Sequence, residues 1–166
     1  RDAFMEKLSR EISAFIRKAE KKNLVPVVRL NGTSDILWET IPYREHASIM
    51  EAFPNIQFYD YTKVYKRAIR TLPANYHLSL SYSQANQKYA LATQTITRQS
   101  DVNLVVVFRD SLPDIFLGRR VVNGDESDLR FLDEKNVIVG LKAKGKAKKD
   151  TSGFVIDPNQ FVEVAA

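Results

Sequence analysis

The sequence predicts an α/β fold whose βα units build a largely parallel sheet, either open or curled into a partial barrel. Three observations carry that expectation. Short β-branched runs alternate with amphipathic stretches at roughly thirty-residue spacing, the rhythm of βα units and not of a sandwich. The run NLVVVF at 103–108 is apolar on both faces, which suits a central strand covered on both sides. A chain of 166 residues with 44% hydrophobic and 27% charged residues can bury a core without a disulfide or metal staple. The expected organisation is a single domain over 1–166, with βα units over 1–110 and a small β-rich C-terminal appendage over 111–166.

Each element follows from its own pattern. Residues 2–23 place Phe4, Leu8, Ile12, Phe15, Ile16 and Ala19 three and four apart, so a helix is expected with Asp2 as its cap. Residues 24–30 (LVPVVRL) suit a buried strand, weakened by Pro26 because proline cannot donate to a ladder. Helix spacing returns over 42–53, with Pro42 in the first turn and Pro54 as the stop. A strand is expected at 55–60, a helix at 62–72 ending before Pro73, and an alternating strand at 76–81. Residues 83–98 carry Ala85, Tyr89, Ala92 and Ile96 at helical spacing, with Ser83 in a capping position. After Arg109 come brief strand-like pieces at 121–122, 129–132, 137–141 and 154–156, separated by turn-forming residues. The segment 142–150, KAKGKAKKD, reads as a basic and mobile loop.

Composition removes whole classes of chemistry. With no cysteine, this stretch contains no disulfide, zinc-thiolate site, iron–sulfur centre or cysteine nucleophile. Twenty-five Lys and Arg against twenty Asp and Glu give a formal charge of +5, which suits an anionic partner without requiring one. No apolar run approaches the ~18 residues that span a bilayer, so no membrane association is expected and the host cytoplasm is the expected location. The opening at Arg1, already inside an amphipathic pattern, leads us to expect further sequence ahead of it.

In parallel βα folds, ligands gather beyond the carboxyl ends of the strands. There the first loop offers Asn31, Gly32, Thr33, Ser34 and Asp35, followed by Trp38. Its polar groups either hold a polar ligand or cap the next helix, and the lone Trp38 either stacks on a base or sugar or anchors the core. The second junction offers Asp60, Tyr61, Thr62 and Lys63, a carboxylate, a phenol, a hydroxyl and an ammonium suited to phosphate or carboxylate recognition. It reads equally well as a solvated helix start. Asn86 after the third strand and Arg109 after the fourth complete the ligand-binding candidates.

Two sequence features invite catalytic readings. Residues 140–146 read GLKAKGK and match the G-x-x-x-x-G-K of a phosphate-binding loop, but Ala147 stands where the metal-binding hydroxyl is required. The same lysines, Lys142, Lys144, Lys146, Lys148 and Lys149, are better read as contacts to phosphates or as a solvated surface. His77 shares a strand face with Ser79 and Ser81, either as a site residue or in a buried polar ladder, since no orienting third group is identifiable. His46 is expected on a helix surface. The acidic stretch at 125–128 lacks the spacing of a calcium loop; its carboxylates hold a divalent cation or pair with Arg130. No metal site or cofactor is assigned, and no catalytic residue.

The phrases VRLNGTSDILWE at 28–39, FYDYTKV at 58–64, YHLSLSYS at 76–83, VVVF at 105–108 and NGDESDLRFLDEKNVIVGLKAKGKA at 123–147 resemble a family of phage- and plasmid-borne proteins sharing a domain of unknown function. That family is distantly similar to phage proteins of the gene-product-88 type. The resemblance covers about residues 28–154 and implies that this chain corresponds to the carboxyl-terminal portion, with a cysteine-rich segment upstream. The functional expectation is a mobile-element protein that binds a phosphate-bearing or nucleic-acid ligand at its strand ends. The alternatives are an enzyme with a polar pocket on the βα scaffold, and a module that binds and inhibits a host protein.

Overall fold

The structure, a computed structural model, describes residues 1–161. Among these residues, three α-helices and eight strands occur in the order α1 (Asp2–Glu20), β1 (Val27–Val28), α2 (Ile49–Ala52), β2 (Gln57–Thr62), β3 (Tyr76–Ser81), α3 (Gln87–Arg98), β4 (Leu104–Phe108), β5 (Ile115–Phe116), β6 (Arg119–Asn123), β7 (Ile138–Lys142) and β8 (Val155–Ile156). The strands form one open sheet in the order β1-β2-β3-β4-β7-β6-β5, and β8 also pairs with β4. It is largely parallel, as expected, and is not a closed barrel. Only the β5–β6 hairpin is antiparallel among the pairings seen. Its turn places Leu117 and Gly118 at φ of 52° and 73°, the left-handed pair that a tight hairpin requires. Among the described residues, no helix is long and apolar enough to cross a membrane.

The chain divides into two units, the first comprising residues 1–60 and 71–77, the second residues 61–70 and 78–166. In the first, α1 buries Met5, Ile12 and Ala19 and ends where Asn23 turns left-handed at φ 52°. Arg1 and not Asp2 holds the cap position. Strand β1 shrinks to two residues directly after Pro26, because the proline has no N–H to pair. The helix expected over 42–53 is only the single turn α2. Tyr43 and His46 instead exchange backbone hydrogen bonds of 3.1 and 3.0 Å around Arg44, whose φ of 53° cannot belong to a helix. His46 therefore lies in a turn. Ser48 caps α2 by accepting from the Glu51 N–H. Asn75 fastens the loop ahead of β3, its amide donating to the carbonyl oxygens of Met50, Phe53 and Ile56 at 2.8–3.0 Å.

In the second unit the helix expected over 62–72 is a 3₁₀ turn, Tyr65–Ile69. The Thr62 hydroxyl accepts from the Val64 N–H at 3.0 Å and offers the backbone a local alternative to the helical bond. Helix α3 begins three residues later than expected, because Asn86 and not Ser83 supplies its cap, accepting from the Tyr89 N–H at 2.9 Å. Ser83 is buried and closes a turn onto the Ala85 N–H. The piece at 129–132, expected as a strand, is the 3₁₀ turn Arg130–Leu132. The segment expected as a loop at 142–150 contains another, Gly145–Lys149.

Strand β4 is the axis of this unit. It pairs with β7 along all five residues, and on its other side with β3 at Leu104 and Val105 and with β8 at Val107 and Phe108. Leu104, Val106 and Phe108 pack on one face with Leu80, Tyr82, Phe116, Ile138 and Ile156; Val105 packs on the other with Val137 and Val139. Phe108 and Phe116 meet edge to face, their centroids 5.2 Å apart. Gly140 lies inside β7, where a Cβ would come within 2.8 Å of Val121 and 2.9 Å of Leu112. Replacing Gly140 by Val is expected to destabilise the unit by about 1–3 kcal/mol through overpacking, read as a lower urea midpoint with an unchanged slope.

Candidate anion-binding site

The expected site residues separate into a buried group and an exposed one. In the first unit Asn31 and Asp60 are nearly sealed from solvent, at 2% and 1% exposure, and face each other. One Asp60 carboxylate oxygen accepts from the Asn31 backbone N–H at 2.9 Å; the other accepts from the Asn31 amide at 3.2 Å and from the Tyr76 hydroxyl at 3.1 Å. The Asn31 side-chain oxygen in turn accepts from the Ser34 hydroxyl, the Ile36 N–H and the Trp38 indole, all at 2.9–3.0 Å. This network shapes the loop after β1. Trp38 is buried and stacks on Phe4 of α1, centroids 6.1 Å apart, so its ring is an anchor of this loop. Thr33 is exposed, Asp35 and His77 are half-buried, and Asn86 is committed to its cap.

The second unit brings several candidates together beyond the carboxyl ends of its strands. Lys142 ends β7, and the turn Gly145–Lys149 carries Lys146, Lys148 and Lys149, all exposed. Gly145 allows the entry with φ 54°. Because Gly140 lies within the strand and a single 3₁₀ turn follows Gly145, the backbone here is not that of a phosphate-binding loop with its following helix. Two groups fix this turn. Arg109, just past β4, donates through its guanidinium to the carbonyl oxygens of Lys148 at 2.5 Å and Asp150 at 2.8 Å. Asp125, just past β6, accepts from the Lys142 N–H at 2.8 Å and pairs with the Lys144 ammonium at 2.9 Å.

Asp125 thus acts as a latch on the base of the turn. The Lys144 hydrogen bond, and then the Lys142 N–H, hold its carboxyl below the usual Asp range, while Asp125 raises Lys144 above the usual Lys value. Asp150 is also held low, by the N–H of Val155 first and by the Ser152 hydroxyl. Tyr61 packs against Val105, Val137 and Val139. The Lys63 ammonium sits 4.6 Å from the centroid of the Phe154 ring. Phe154 and the latch role of Asp125 were not foreseen, because the partners lie far apart in sequence and no local pattern links them.

The acidic stretch is likewise tied up internally. Glu126 accepts from the Asn123 amide at 2.9 Å, and buried Arg130 donates to the Ser127 carbonyl and approaches Asp133 at 3.3 Å. Gly124 leaves room for that arginine, since a Cβ there would meet its guanidinium at 2.6 Å. Among the described residues no group of three or more His, Cys, Asp or Glu side chains is placed to hold a metal ion.

Charge is unevenly divided. The first unit carries nine Lys and Arg and nine Asp and Glu; the second carries sixteen and eleven. The whole formal +5 therefore belongs to the second unit.

The latch makes two predictions. A carboxyl whose value is depressed on folding stabilises the fold above the ordinary Asp range and loses that contribution as pH falls through the lowered value. The Lys142 amide resonance is accordingly expected to titrate with Asp125 below that range, and Asp125→Asn to abolish the titration. In the first unit, Asp60→Ala strands three buried donors and is expected to cost about 3 kcal/mol or more in urea unfolding, whereas Thr33→Ala, at an exposed position, stays within about 0.5 kcal/mol.

The family model described as Gene product 88, a family of phage type, matches residues 1–158, and the chain belongs to that family. No curated protein and no solved structure matches it.

Proposed function

We propose that this member of the Gene product 88 family binds the phosphate backbone of a nucleic acid through the lysine turn of its second unit. One observation carries the reading: the entire net positive charge lies in that unit and is densest at 142–149, where five lysines crowd into eight residues. Among the described residues only Lys144 of the five pairs with a carboxylate. Exposed ammoniums held on a fixed turn attract a polyanion and release its condensed counterions, which makes binding steeply dependent on salt. Arg109 and Asp125 pre-position the turn, so less ordering entropy is lost on binding.

Fluorescence anisotropy with labelled single-stranded and duplex DNA across a salt series tests this. Log affinity is expected to fall linearly with log salt, by about 0.7 to 0.9 for each phosphate contacted. Joint replacement of Lys146, Lys148 and Lys149 by Ala is expected to weaken binding and flatten that slope by about two to three. An affinity indifferent to salt, or unaffected by the triple substitution, would refute the reading.

A further inference from the structure

A groove of about 590 Å³ adjoins the lysine turn, and its lining is unlike a phosphate site. Its walls include Val107, Leu141, Phe154, Asp125, Glu126 and Lys144. Carboxylates along one side repel a phosphate, whereas the apolar floor and the half-buried ring suit a flat, uncharged heterocycle. We propose that the groove receives an unstacked nucleobase of a single-stranded nucleic acid, stacked on Phe154 while its flanking phosphates lie on the lysine turn. This rests on the phosphate contact proposed above and adds the part of the ligand that distinguishes single strands from duplex.

Three features converge on a base. The Phe154 ring already holds a cation on its π-surface, the Lys63 ammonium at 4.6 Å, and a base presents the same ring with a partner of larger area. Lys63 is exposed, so its ammonium supplies a cation for a phosphate next to a base on that ring. The Glu126 carboxylate matches the N–H donors that base edges carry, and it is already oriented by the Asn123 amide. The volume suits a mononucleotide unit. A duplex keeps its bases paired and stacked and cannot deliver one into such a groove without melting.

The test compares a fluorescein-labelled twelve-nucleotide single strand with the twelve-base-pair duplex of the same sequence, on the full chain at fixed low salt. Wild type is expected to prefer the single strand. Phe154→Leu keeps apolar bulk and removes the π-face; it is expected to weaken single-strand binding about tenfold and leave duplex binding unchanged. Phe154→Trp is expected to restore single-strand affinity and to add quenching of tryptophan emission beyond that of Trp38 alone. Equal loss on both probes, no loss on either, or no added quenching would overturn the base site. If the salt dependence and the triple-lysine effect persist while Phe154→Leu changes nothing, the base site fails and the phosphate contact stands. If neither probe binds, both fall.

Discussion

Strand β4 is the constraint on which the second unit depends. Four of its five consecutive apolar residues are buried, on both faces of the strand, and burial of the backbone obliges every N–H and C=O to find a partner. The pairing with β7 satisfies one edge along its whole length. The other edge is shared: β3 covers its beginning and β8 its end, so the chain that returns after the lysine turn is drawn back beside β4. That return sets where the turn can lie. Its two ends are the end of β7 and the start of β8, and both are ladder partners of the same strand.

The same logic explains why the polar groups past the strand ends are so specific. Arg109 continues directly from β4 and spends its guanidinium on two carbonyl groups of the turn and the residue after it. Asp125 continues from β6 and spends both carboxylate oxygens on the other end. Neither interaction is a deep ion pair with a large desolvation cost, since the Lys144 side chain is 80% exposed. Their effect is on geometry, holding a cluster of like charges that would otherwise repel one another apart. Lysines that repel on a free loop become a preformed positive surface on a tethered one.

The first unit uses the same kinds of residue differently. Asn31, Asp60, Tyr76 and Trp38 form a hydrogen-bonded set beneath a loop, to which the Ser34 hydroxyl and the Ile36 N–H also donate. At low exposure such a network is costly when partly satisfied and specifying when complete. It makes the loop after β1 a shaped structure without a long helix or strand in it, which is why this half of the chain contains so little regular structure between α1 and β2.

The sequence by itself determined the class of fold. Alternation of β-branched and amphipathic runs, and a strand apolar on both faces, have one economical solution, a largely parallel sheet with helices, and strands lie at or near 55–60, 76–81, 103–108 and 137–141 as their patterns require. It also made the basic segment at 142–149 plain as a concentration of charge. Helix lengths were not legible, because single backbone events decided them: Arg44 turning left-handed, the Thr62 hydroxyl capturing the Val64 N–H, and Asn86 taking the cap from Ser83. Tertiary structure alone decided which polar residues face inward and which face solvent. Asn31 and Asp60 are 29 residues apart, and Asp125 and Lys142 are 17 apart, so their hydrogen bonds exist only once strands have been ordered side by side. Periodicity reports the local backbone and the buried face, whereas a site is made by contacts between residues distant in the chain, and those follow from the strand order.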